Sequence, residues 1–150
     1  MAHFAELNGS NIVQRVIVID NNDILDASGN ESEALGIAIC QKHCGATTVW
    51  KQCSYNGSMR KTYPGPGSVY DAANDLFRTP QPVDADGDTC NSWTLNTSTG
   101  AWDPPIAQPT DKAYYWDESV YQADSGSPKT LGWIAFTSVS YTHLTLPTKA

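Results

Sequence analysis

Basic side chains are scarce in this chain: nine Lys and Arg stand against sixteen Asp and Glu in 150 residues, giving a formal net charge of −7 and a pI near 4.6. Nonspecific binding to nucleic acid or to an anionic membrane needs clustered positive charge. The only local basic group, Arg60-Lys61, is too small to supply it, so neither is an expected partner. Long apolar runs are also missing: no segment approaches the eighteen or so apolar residues of a membrane span. Met1-Ala2-His3-Phe4-Ala5-Glu6 lacks the charged and apolar regions of a signal peptide. The expectation is a soluble protein made in a cytoplasm.

Histidine is rare, with His3, His43 and His143 alone. The chain has no Gly-rich phosphate loop, no nucleophile elbow and no carboxylate pair in a supporting context. His43 beside Cys44 is the one conceivable base and nucleophile, but neighbours on a helix point about 100° apart. Neither enzyme activity nor a cofactor is expected. Of the four cysteines, Cys40, Cys44 and Cys53 could join His43 as zinc ligands, from one helical face and the next strand. That spacing matches no established zinc pattern, so free, buried thiols and no metal are the expectation for a reducing compartment.

What is present argues for a folded protein of single-domain size: 40% hydrophobic residues and five tryptophans. Phe4 to Leu7, a polar Asn8-Gly9-Ser10-Asn11 turn and Ile12 to Ile19 read as a β-hairpin. The β-branched end of the second strand makes it the candidate central strand. Glu31 to Cys44 reads as a helix capped by Ser28 or Asn30 and stopped by Gly45, with Leu35, Ala38 and Ile39 facing the sheet. Thr47 to Cys53 is a further strand, and the Asn56-Gly57 turn leads to another at Ser58 to Tyr63. The expected fold class is α+β, a small antiparallel sheet with one packed helix (β-β-α-β-β) over residues 1–63.

Pro64-Gly65-Pro66-Gly67 punctuates the chain. Residues 68–137 then repeat an aromatic, a polar turn, a second aromatic and proline. The pairs are Tyr70 with Phe77, Trp93 with Trp102, and Trp116 with Tyr121. Every separation is odd, as for residues directly opposed across a hairpin with an even loop, such as Asn96-Thr97-Ser98-Thr99. These Pro-spaced aromatic β-hairpins are marginal alone, so they must stack on one another or on a partner. Tyr70, Phe77, Trp93, Trp102, Tyr115, Trp116 and Tyr121 are thus candidates for an aromatic binding surface. For each ring taken singly, a place in a hairpin core is favoured. Asp84-Ala85-Asp86-Gly87-Asp88 resembles the start of a calcium loop, but Thr89 and Leu95 occupy the positions of its turn glycine and bidentate acid, so a solvated turn is expected. The sequons at Asn8, Asn30, Asn56 and Asn96 carry little weight without a secretory signal.

Two resemblances complete the reading. Val139 to Ala150 resembles translated library-adapter sequence from a metagenomic contig, which makes residues 138–150 a non-native tail to exclude from fold reasoning. Phe4-Ala5-Glu6-Leu7, Val16-Ile17-Val18-Ile19, Trp50-Lys51-Gln52, Ser54-Tyr55-Asn56-Gly57, Trp93-Thr94-Leu95-Asn96 and Tyr115-Trp116-Asp117-Glu118 are similar, as a set, to a family of small uncharacterised proteins of marine tailed phages, especially cyanophages. The resemblance spans Met1 to about Glu118. It implies a virion-associated structural or accessory protein, made in the host cytoplasm, decorating a capsid or tail and docking on other virion proteins through its aromatic hairpins. The alternatives are a saccharide- or host-surface-binding module of a tail or fibre, and a tail-fibre assembly helper.

Overall fold

The computed structural model describes residues 1–137, so the adapter-like tail lies outside the described residues. The protein has an α+β fold of small antiparallel sheets and one main helix. It folds into two compact units. The first holds Met1–Pro82 and Trp93–Asp103, and the second holds Val83–Ser92 and continues from Pro104.

In the first unit, β1 (Ala2–Leu7), β2 (Val13–Ile19) and β3 (Val49–Cys53) form an antiparallel sheet in the order β2-β1-β3. The turn into β2 is set by Asn8, whose Oδ1 accepts the N–H groups of Ser10 and Ile12, both at 2.9 Å. Its positive φ falls on Asn11, at 59°, and not on Gly9. The central strand is β1, not the β-branched β2, which lies on the edge with Val18 49% exposed. A central strand must be covered on both faces. β1 achieves this by sending Phe4 to one face and Ala5 and Leu7 to the other, all buried.

Helix α1 (Glu33–Cys44) covers the Phe4 face. Ser32 caps it, the Oγ accepting from the Leu35 N–H, and Gly45 ends it at φ 124°. The helix starts two residues later than expected because Asp26 closes a loop of its own first, accepting from the N–H groups of Ser28 and Asn30. Its buried face is shifted: Ile39 packs on the core as expected, but Gly36 and Cys40 are the buried positions, while Ala38 is exposed and Leu35 is 41% exposed. Apolar side chains surround most of this helix, so periodicity does not choose a face. Phe4 chooses it. A Cβ on Gly36 would lie 2.0 Å from the Phe4 ring tip, so only glycine lets the ring reach the helix backbone. Phe4 packs there with Ile19, Ile24, Cys40 and Trp50.

The opposite face is covered by the hairpin of β4 (Val69–Asp71) and β5 (Leu76–Arg78). Tyr70 opposes Phe77, as their odd spacing allows, and both pack on Ala5, Leu7, Val13 and Cys53. That shared core is why the compact units do not separate at Pro64–Gly67. The strand expected over Ser58 to Tyr63 does not form, because Arg60 and Lys61 take φ values of 53° and 65°, outside the strand region. β6 (Thr94–Asn96) and β7 (Ala101–Asp103) complete this unit. Trp102 opposes Leu95 and not Trp93, since the loop is Thr97–Gly100, with Gly100 at φ 76° closing it.

In the second unit β8 (Tyr114–Trp116) pairs with β9 (Trp133–Ala135) across α2 (Glu118–Ala123). No Trp116–Tyr121 hairpin exists. The Asp117 carboxylate caps a helix there, accepting the Val120 N–H at 3.0 Å, and Trp116 opposes Trp133 instead. The returning strand is Trp133–Ala135, which follows the last of the three expected aromatic pairs.

Gly36→Ala is expected to lose roughly 2 kcal/mol or more, the overpacking cost outweighing the helix-propensity gain of about 1 kcal/mol. Gly9→Ala, with nothing within 4 Å of the place its added methyl would take, should stay within about 0.5 kcal/mol of the parent in urea denaturation.

Candidate functional site

The seven candidate rings mostly hold the fold together. Tyr70, Phe77 and Trp116 are buried, and Tyr70 and Phe77 lie 5.4 Å apart between ring centroids. Trp102 is half-buried and anchors its hairpin, its Nε1 donating to the Thr79 carbonyl at 3.0 Å with the Arg78 guanidinium 5.5 Å over the ring. Trp93 is half-buried and outside any strand. Tyr115 is half-buried beside Phe136. Tyr121 packs on Trp116 at 5.4 Å, and Trp133 at 5.1 Å. Buried Trp116 offers no exposed face, whereas Trp93, Trp102, Tyr115 and Tyr121 each keep part of theirs exposed.

The sheet edges carry the more informative chemistry. Arg60 donates through Nη1 and Nη2 to the Glu33 carboxylate at 2.6 and 3.2 Å, through Nη1 to the Gln52 carbonyl at 2.8 Å, and through Nε to Asp75 at 2.7 Å. Glu33 in turn accepts the Gln52 N–H at 2.9 Å, and Asp75 accepts the Tyr70 hydroxyl. Burial works to raise the Glu33 carboxyl, but the hydrogen bonds from Arg60 and the Gln52 amide outweigh it and leave it below its ordinary value. The Tyr70 and Arg60 hydrogen bonds likewise lower Asp75. Both outward backbone groups of Gln52 are thereby satisfied by side chains, which closes the β3 edge to further strands.

Among the described residues the other edge is open. Because Gln52 turns its N–H and C=O away from β1, its partner Phe4 must turn toward β2 and pair with Ile17. Alternation then aims the N–H and C=O of Val16 and Val18 outward. The Gly67–Val69 segment covers this edge at Ile12 and Val13, and beyond Val13 no strand among the described residues pairs with it.

A cleft of about 310 Å³ opens at the sheet end where β1 begins and β3 stops. Gln52, Tyr55, Asn56, Ser58 and Glu31 line it, and Tyr55 is 78% exposed. Tyr55 is positioned by His3 and Tyr63, with centroids at 6.4 and 5.5 Å. None of these residues stands out as a site in the sequence. The Asn56-Gly57 turn is the only local signal, and it says nothing of the neighbours that the fold brings up.

In the second unit, Asp84, Asp86 and Asp117 hold oxygens within 4.8 Å of one another, the only set among the described residues spaced to share an ion. Cys40, His43, Cys44 and Cys53 form no such set. The Asp84 carboxylate already accepts the N–H groups of Asp86, Asp88 and Glu118, so it closes a turn. Glu118, 4% exposed, accepts from Trp116 Nε1, from the Ser92 N–H and hydroxyl, and from Gln122. Burial pushes its carboxyl up, but those donors prevail and lower it.

Compared with protein-family models, curated proteins and solved structures, the chain matches none.

Removing Arg60 as Arg60→Met is expected to cost about 2 to 3 kcal/mol, less than for a fully buried pair because Glu33 is a third exposed. Glu33 and Asp75 have lowered folded pKa values, so the native state holds fewer protons than the unfolded one. Their stabilisation is complete above the ordinary carboxylate values near about 4 and fades as the pH falls through the lowered folded values. In melts between pH 7 and pH 3, Glu33→Gln should therefore show a smaller acid-induced loss of Tm than the parent.

Proposed function

We propose that this protein is a virion-associated accessory protein of a tailed phage that docks on a neighbouring subunit through the open edge of β2. The observation that carries the reading is the contrast between the two edges of one sheet. The β3 edge is closed by a charged side-chain network, whereas β2 presents outward backbone groups between Val16 and Val18, with no Lys or Pro among Val16-Ile17-Val18-Ile19 to discourage pairing. A partner strand laid there would gain main-chain hydrogen bonds, with side-chain contact to the half-exposed Val18. The phage setting is supported by the resemblance of Met1 to Glu118 to small phage proteins. Docking through aromatic hairpins, the contact first expected, loses support because Tyr70, Phe77 and Trp116 are packed inside. A tail-fibre assembly helper would use the same edge but leave before maturation.

Mass spectra of purified particles should contain the chain at a copy number matching capsid or tail symmetry; absence from particles overturns the virion role. Val18→Lys places a charge on the open edge, and Val18→Pro removes only an outward N–H. Both should abolish incorporation while Tm stays within a few degrees of the parent, since the substitutions are at an exposed edge.

A further inference from the structure

We propose that the cleft between Gln52, Tyr55 and Asn56 binds a single neutral pyranose ring, such as the terminal sugar of a glycan. The inference is independent of the docking edge, because it rests on different residues at the end of the sheet.

The first observation is an amide with unused hydrogen-bonding capacity. Gln52 is 5% exposed and lines the cleft. Its backbone N–H and C=O are taken by Glu33 and Arg60, but its side-chain amide makes no hydrogen bond to any described residue. The amide is not sealed away without a partner: it is reached from the cleft, where a ligand can replace water on it. The amide therefore suits a ligand that can both donate to it and accept from it.

The second observation is the rest of the lining. Asn56 uses its Oδ1 on the Ser58 N–H at 3.1 Å, which leaves its amide NH₂ as a donor. Ser54 uses its oxygen on the Met59 N–H at 2.9 Å and keeps its own proton to donate. The Ser58 hydroxyl and the Glu31 carboxylate add acceptors. Cys53, also in the lining, stays a neutral thiol, burial having pushed it up to about 12. Met1 and His3 are in the lining, but no Lys or Arg side chain is, so neither a Lys ammonium nor a guanidinium fork is there to hold phosphate, sulfate or carboxylate ligands. One carboxylate is a thin basis for holding a cation.

The third observation is the Tyr55 ring. It is 78% exposed, yet its plane is held by His3, stacked at 30°, and by Tyr63 at 63°. A ring fixed before binding offers a flat apolar face at little entropic cost. A pyranose has matching chemistry: one face of C–H groups to lie on the aromatic ring, and a rim of hydroxyls that each donate and accept. A volume of about 310 Å³ is at the lower end for ligand sites, which suits one ring rather than a long chain.

The test is a titration of the isotope-labelled full chain with methyl glucoside, methyl galactoside, methyl mannoside and N-acetylglucosamine, followed by backbone amide shifts. At least one sugar should give saturable shifts confined to Gln52, Tyr55, Asn56 and Ser58, with affinity on the millimolar scale expected of a single-ring ligand. Tyr55→Ala removes an exposed side chain and should keep its Tm while binding falls at least about tenfold, a loss of about 1.4 kcal/mol. Gln52→Met keeps the side-chain length without the amide and should weaken binding similarly. If no sugar shifts these amides, if glycerol shifts them equally, or if Tyr55→Ala binds as the parent does, the proposal is overturned. Loss of virion incorporation in Val18→Lys with sugar binding intact would show the two sites to be separate.

Discussion

Arg60 ties together three parts of the first unit that lie far apart in the chain: Glu33 at the start of α1, the Gln52 carbonyl on β3, and Asp75 in the loop of the β4–β5 hairpin. The helix covers one face of the sheet and the hairpin the other, so one guanidinium at the sheet edge fixes the position of both layers. Its planar fork permits this, because the donors diverge at set angles and a lysine ammonium could not span the same acceptors. The arrangement also explains the unusual backbone of Arg60, at φ 53°. A strand conformation there would carry the guanidinium away from the edge. Tyr70 then closes the system, its ring facing the Arg60 guanidinium at 5.9 Å and Lys51 at 5.3 Å while its hydroxyl donates to Asp75.

With β3 closed in this way, the sheet is left with a direction. Three strands can extend on one side only, and the side that remains is the β-branched one. Short hairpins elsewhere need no outside partner to be ordered, because their rings are spent internally: Phe77 and Tyr70 on the sheet, Trp102 on the Thr79 carbonyl, Trp116 on Trp133. The aromatic repetition is therefore chiefly a device for holding three-residue strands, too short to be stable by backbone pairing alone.

Local chemistry was legible in the sequence, and competition between distant segments was not. The helix, its Gly45 stop, the opposition of Tyr70 and Phe77 and the α+β class all follow from nearby residues. Strand order did not. Ile17 and Val18 look more like a central strand than Ala2-His3-Phe4-Ala5 does, but centrality is decided by what covers each face, and Gly36 reserves that place for Phe4. The hairpin of β6 and β7 slipped by one position at each side because Gly100 readily takes the positive φ that ends the loop. Asp117 looked like part of a turn and is a helix cap, a choice that depends on Asp124 folding the chain back through the N–H groups of Gly126, Thr130 and Leu131. The cleft was invisible for the same reason: Gln52, Tyr55 and Glu31 meet only when the sheet is assembled.

Carboxylates govern the second unit as Arg60 governs the first. A helix of six residues does not persist alone, and α2 is held because Glu118, at its first turn, collects donors from Trp116, Ser92 and Gln122 while its own N–H is bound by Asp84. Acids placed this way are consumed by the fold, which is why the Asp84, Asp86 and Asp117 cluster is better understood as turn and cap chemistry than as an ion site. Function should be sought where hydrogen-bonding capacity is left over after folding. In the first unit the backbone of Val16 and Val18 and the side-chain amide of Gln52 meet that criterion, the former suited to a strand and the latter to a small polyhydroxylated ligand.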